Sequence, residues 1–111
     1  MNSNIYAVIV TYNPELKNLN ALITELKEQN CYVVVVDNST NFTLKDKLAD
    51  IEKVHLICLG RNEGIAKAQN IGIRYSLEKG AEKIIFLIKI AVFAMSLSKN
   101  FPAIWIMKMQ K

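Results

Sequence analysis

The sequence predicts an α/β fold built on a parallel, doubly wound sheet. Near-continuous apolar, β-branched runs suit strands buried on both faces. Stretches with apolar residues at helical spacing alternate with them, joined by short connections. The strand-like runs end in polar clusters, where open sheets of this class bind ligands.

The first run is Ile5 to Val10, followed by Thr11, Tyr12 and Asn13 and then Pro14 and Glu15. Asn13 is expected to cap the following helix, Pro14 to take its first position, and Glu15 to sit at the positive end of the dipole. Leu16, Leu19, Leu22, Ile23 and Leu26 then recur at helical spacing, with Asn30 as a stop. The strongest strand signal follows at 31–36, closed by Asp37, Asn38, Ser39 and Thr40. A short helix is expected over 44–51 and a third strand over 54–59, ending in Gly60-Arg61-Asn62-Glu63-Gly64. Helical spacing returns over 65–78, where Ala66, Ala68 and Gly72 let the backbone lie close to the sheet and Lys79-Gly80 is the stop. A fourth strand is expected over 84–88.

At 111 residues there is room for one small domain, and 51% hydrophobic with 22% charged residues excludes a disordered chain. The net charge of +4 is not a nucleic-acid signature, because it is unevenly placed: residues 1–82 carry −1 and the segment from 83 carries +5. Cys31 and Cys58 stand in apolar runs without metal-site spacing, and the single histidine has no second one beside which to bind zinc. Both thiols read as small core hydrophobes. No signal-peptide pattern opens the chain, so a cytoplasmic location is expected.

Beyond Leu87 the pattern changes. Residues 88–97 are apolar in every direction, and 81–111 contain no Gly and no acid except Glu82. The apolar run of about 14 residues from Ile84 holds Lys89 and falls short of the roughly 20 that span a bilayer. The expected division is therefore 1–87 as one α/β unit and 88–111 as an atypical apolar, basic tail.

In a parallel sheet the polar clusters at 11–13, 37–39 and 61–64 converge. An aspartate at a strand's carboxyl end is placed to take hydrogen bonds from a ribose or a base edge, although Asp37-Asn38 taken alone is equally a turn-forming pair. The first turn has no glycine, which excludes the dinucleotide fingerprint, and no phosphate-binding Gly-Lys loop is present.

The ordered words VIVTYNP at 8–14, VVVDNS at 34–39, NEGIAKAQNIGI at 62–73 and IIFL at 84–87 resemble the amino-terminal half of a family 2 glycosyltransferase, most closely its rhamnosyltransferase-like branch. The resemblance implies a truncated, Rossmann-like GT-A nucleotide-binding half. It implies a UDP- or dTDP-sugar donor across the strand tips, a saccharide or lipid-linked acceptor, and polysaccharide synthesis with inversion at the anomeric carbon. By the same resemblance Thr11, Tyr12 and Asn13 line the nucleoside site, with Asn38 beside them. Asp37 faces the base or ribose, the 62–70 segment with Asn62 closes over the nucleotide, Gly64 permits the turn into the helix, and Asn70 looks back into the pocket.

After IIFL that family carries an Asp-x-Asp motif for Mn²⁺ or Mg²⁺. Here those positions are Ile88, Lys89 and Ile90, none a ligand for a hard cation. No bound metal and no catalytic residue is therefore expected, and the acceptor half is missing. Deleting the first base of GAT-CAA-GAT-AGC, which encodes Asp-Gln-Asp-Ser, yields Ile-Lys-Ile-Ala, the residues at 88–91. A frameshift at residue 88 accounts for the tail and makes this copy an inactive glycosyltransferase. The rival from another class is a non-catalytic nucleotide-binding or membrane-associated accessory domain. Self-association through uncovered apolar surface and a peripheral contact with the inner face of the membrane complete the expected partners.

Overall fold

A computed structural model of the chain describes residues 4–87. The described elements alternate strictly: β1 (Ile5–Thr11), α1 (Leu16–Glu28), β2 (Tyr32–Asp37), α2 (Thr43–Leu48), β3 (Val54–Cys58), α3 (Ile65–Glu78) and β4 (Lys83–Leu87). Every pairing is parallel, in the order β3-β2-β1-β4. The chain steps outward from β1 through β2 to β3 and then returns past β1 to β4. This reversal opens a crevice at the carboxyl ends of the strands, where ligands of open α/β sheets bind.

Alternate residues of the two central strands feed two cores. Ala7, Ile9, Val33 and Val35 face one side and pack with Leu19, Leu22, Ile23 and Leu26 of α1 and Leu44 and Leu48 of α2. Tyr6, Val8, Val10, Val34 and Val36 face the other, where Ala68, Ile71 and Tyr75 of α3 cover them. Helices therefore lie on both faces, as the right-handed crossover rule requires once the strand order reverses. The outer strands β3 and β4 are only partly covered among the described residues.

Both long helices end in the same way, for a reason readable in sequence. Asn30 (φ 65°) and Gly80 (φ 96°) take the left-handed conformation just past the caps. The N–H groups of Cys31 and Ala81 then reach back to the carbonyls of Leu26 and Ser76, satisfying groups the helices leave open. The buried stripe of α3 is Ala68, Gly72 and Ser76, while Ala66 is exposed, which corrects part of the expectation.

The start of α1 is a larger correction. Asn13 does not cap it, and Pro14 is not its first residue. The cap position is Glu15, without a side-chain cap hydrogen bond, and Asn13 instead turns the chain with φ 46°. Asparagine tolerates that conformation, so it serves as the corner between strand and helix. The second helix stops at Leu48 rather than 51, because Asp50 takes φ 62° and turns the chain toward β3. Expectations about residues 88–111, including the end of the fourth strand at 88 and the atypical tail, lie outside the described residues. Among the described residues no helix is long and apolar enough to cross a membrane.

Candidate functional site

Strand register determines which polar residues meet. Thr11 pairs with Asp37 across β1 and β2, and Asp37 with Cys58 across β2 and β3, so the three strand tips end level. Backbone hydrogen bonds continue past the strands, from Asn38 N–H to Thr11 O (2.8 Å) and from Leu59 N–H to Asp37 O (3.0 Å). Thr11, Asp37, Asn38 and Ser39 are all buried, an unusual concentration of polar side chains at one edge of an apolar core.

Asp37 is 1% exposed, and its two oxygens differ. Oδ1 accepts hydrogen bonds from Thr11 Oγ1 (2.7 Å), Ser39 Oγ (2.8 Å) and Ser39 N–H (3.3 Å). Oδ2 has no partner, the one such buried side-chain atom among the described residues. A buried acceptor left open costs about 1–3 kcal/mol, so this oxygen is the group at the strand tips most in need of a donor.

Asn38 is used differently. Its Oδ1 accepts the N–H of Glu63 (2.9 Å), and its Nδ2 donates to the carbonyl of Gly64 (3.2 Å). The side chain therefore fastens the tip of β2 to the loop leading into α3, with both ends of its amide engaged. Asn62 shapes the same loop, its Oδ1 accepting the N–H of Gly64 (2.9 Å). Gly64, with φ 91° and ψ 161°, takes a conformation that only glycine adopts readily, and α3 starts at the next residue.

The structure thus brings Thr11, Asp37 and Asn38 into one hydrogen-bonded group and leaves Tyr12, Asn13, Asn62 and Gly64 exposed around it. Tyr12, the residue after β1, is 56% exposed. Asn13 joins the group through its backbone, donating its N–H to Ser39 Oγ (2.6 Å). Asn70 is not brought into the group: it is exposed and lines a cleft on α3 with Ile73, Arg74 and Leu77. Ser39 was expected in the converging cluster at 37–39 but without a role of its own; its hydroxyl links Asn13 to Asp37. The Asp-x-Ser spacing, at which an aspartate oxygen commonly takes the N–H two residues on, was the available signal.

The charges at this end do not build a metal site. Glu63 is bound by Arg61 and by Lys67 Nζ (3.3 Å), and the hydrogen bond from Arg61 holds its carboxyl below the usual range. Asp37 has one oxygen already saturated. Among the described residues no three metal-ligating side chains gather, so these residues do not fit a resident divalent cation.

The family model "Glycosyl transferase family 2" matches residues 6–88. A curated relative, "dTDP-rhamnosyl transferase RfbF" of Shigella flexneri, is 99% identical over 86 residues, which are 78% of this chain and 29% of that protein. "Low-salt glycan biosynthesis hexosyltransferase Agl10" of Haloferax volcanii is 36% identical over 81 residues, 71% of this chain and 25% of that protein. The chain thus spans less than a third of the length of these relatives. No solved structure matches it. Since the family match runs from the second residue of β1 to the residue after β4 and takes in the whole described sheet, the chain belongs to glycosyl transferase family 2.

Proposed function

We propose that this chain is the donor-nucleotide-binding part of a glycosyltransferase that takes rhamnose from dTDP-rhamnose and passes it to a saccharide or lipid-linked acceptor in cytoplasmic glycan synthesis. The single observation that carries the reading is the open Oδ2 of Asp37 at the level strand tips. A buried acceptor oxygen calls for a donor, and the ring N–H between the two carbonyls of thymine or uracil is one. Adenine presents no ring N–H there. The printed name of the relative from Shigella flexneri supplies dTDP and rhamnose.

In this reading Asp37 accepts from the base, held in place by Thr11 and Ser39, and Tyr12 and Asn13 border the nucleoside. Asn62, Gly64 and Asn38 shape the loop that closes over it, while Asn70 stays at the margin. Family members stabilise the departing diphosphate with a metal held by aspartates after the fourth strand, and Ile88, Lys89 and Ile90 stand there in this sequence. The 111 residues are therefore expected to bind nucleotide without metal dependence and without turnover. A frameshift at residue 88 remains our account of that departure, and the coding DNA read in the alternative frame should restore an Asp-x-Asp word there.

Titration calorimetry with dTDP tests the pocket. Weak saturable binding is expected, indifferent to Mn²⁺, and reduced by about 1–3 kcal/mol in Asp37→Ala, the range for removing one partner of a buried hydrogen bond. Tight binding that requires Mn²⁺ would overturn the reading.

A further inference from the structure

At the opposite end of the sheet a second cluster lies outside everything the strand tips explain. Tyr6 and Tyr32, paired in register across β1 and β2, stack with ring centroids 4.8 Å apart and planes 20° apart. His55 of β3 and Tyr75 of α3 stack at 4.1 Å and 3°. Lys53 holds its Nζ 5.5 Å from the Tyr32 ring centroid, and Lys79 holds its own 5.6 Å from that of Tyr75. These six residues line a cavity of about 280 Å³ at the amino-terminal ends of the strands. Five residue steps along β1 lead from Tyr6 to Thr11, about 16 Å at strand rise.

The cavity is rich in donors and poor in acceptors. No carboxylate lines it, and among the described residues neither lysine is in an ion pair. The described side-chain hydroxyls that donate hydrogen bonds are those of Thr11, Ser39 and Ser76, so the phenols of Tyr6, Tyr32 and Tyr75 keep theirs available. Burial, with Tyr32 and Tyr75 close by, pushes the Tyr6 phenol up, which keeps it a protonated donor. Burial and then the charge of Lys79 push the His55 imidazole down. A ring ligand has little to stack on, since the rings already stack on each other or carry an ammonium group. A compact oxyanion instead finds two cations and three phenols among the lining residues.

We propose that this cavity is a binding site for a phosphate-bearing small molecule, held by Lys53 and Lys79 with the hydroxyls of Tyr6, Tyr32 and Tyr75, and separate from the nucleotide site. The proposal does not depend on the function assigned to the strand tips.

Equilibrium dialysis of the full 111-residue chain against labelled inorganic phosphate tests it, at constant ionic strength set with chloride and with glycerol 3-phosphate as competitor. Saturable retention is expected, displaced by glycerol 3-phosphate and not by thymidine. It should fall about tenfold in the exposed double variant Lys53→Gln/Lys79→Gln, the scale of a lost charge-assisted hydrogen bond, while dTDP retention is unchanged. Tyr75→Phe, which keeps the stack, should weaken phosphate alone by a smaller factor. Absence of saturable retention, displacement by thymidine, or retention unchanged in the double variant each overturns the proposal. So does a result in which phosphatidylglycerol vesicles are bound but neither free phosphate nor glycerol 3-phosphate is retained, since that assigns the cavity to a membrane surface.

Discussion

Replacing Gly72 by alanine tests whether α3 is held against the sheet by close backbone approach. A Cβ at this position would lie 2.4 Å from Val8 Cγ1, 3.2 Å from Val36 Cγ2 and 3.3 Å from Val8 Cγ2. Val8 is 1% exposed and Val36 is fully buried, both on central strands and both stiff at χ1, so neither can rotate away cheaply. The helix must lift, loosening the contacts of Ala68 and Ser76 on the same stripe. Overpacking of this kind costs about 1–3 kcal/mol, while alanine regains about 1 kcal/mol of helix propensity over glycine. The 2.4 Å approach puts this site in the upper part of that range, so a net loss of about 1–2 kcal/mol is expected. With a urea dependence of about 1–2 kcal/mol per molar, the midpoint should fall by roughly 1 M when followed by circular dichroism. In a Val8→Ala background the two Val8 methyls are gone and only Val36 Cγ2 at 3.2 Å remains close, so the same substitution should cost about 1 kcal/mol less. A midpoint that stays or rises in Gly72→Ala would refute the packing argument.

Asn38→Ala removes both bonds between β2 and the loop before α3, and should cost about 1–3 kcal/mol of stability, with faster amide exchange at Glu63. Asn38→Asp keeps the acceptor for Glu63 and should lose less, which the same urea and exchange measurements check. Cys31 is fully buried, and burial pushes its thiol up to about 11 from 9.0. The folded chain then holds a proton that the unfolded chain releases between those values, so stability falls as pH rises from about 9 to about 11, by roughly 3 kcal/mol at most. In Cys31→Ala that portion of the alkaline loss should be absent from urea midpoints measured across pH 8–11. The His55 ring, depressed by burial and by Lys79, should titrate below the usual histidine range in NMR and move up in Lys79→Gln. A folded pKa below the unfolded one means that this group's contribution is present above pH 6.5 and is lost as pH falls below it.

Much of the fold was legible because its signals are local and redundant. The β-branched run at 32–36 could hardly be other than a buried strand, and Asn30 and Gly80 marked helix ends through the conformation they alone tolerate nearby. The order β3-β2-β1-β4 was not legible, since nothing in periodicity says on which side of β1 the fourth strand lies. The start of α1 misled for a related reason. Asn13 and Pro14 read as a cap, yet an asparagine that caps and one that turns the chain left-handed look alike in sequence. At the site, Asp37 was legible from its place at a strand end. The division of labour between its oxygens was not, because it arises from register with Thr11 and from the turn made by Ser39. Asn38 stood beside it as a candidate ligand, and only the fold shows that its amide is spent on the loop before α3.

The central claim is that a pyrimidine nucleotide sits across the strand tips with Asp37 as its buried acceptor. Mapping amide chemical shifts of the ¹⁵N-labelled chain during a dTDP titration tests it most directly, with Asp37→Ala as the paired sample. The account predicts saturable shifts confined to residues 11–13, 37–39 and 62–65, and their loss or marked weakening in the variant. Shifts clustered around Tyr6, His55 and Tyr75 instead, or a full set at the strand tips undiminished in Asp37→Ala, would contradict it.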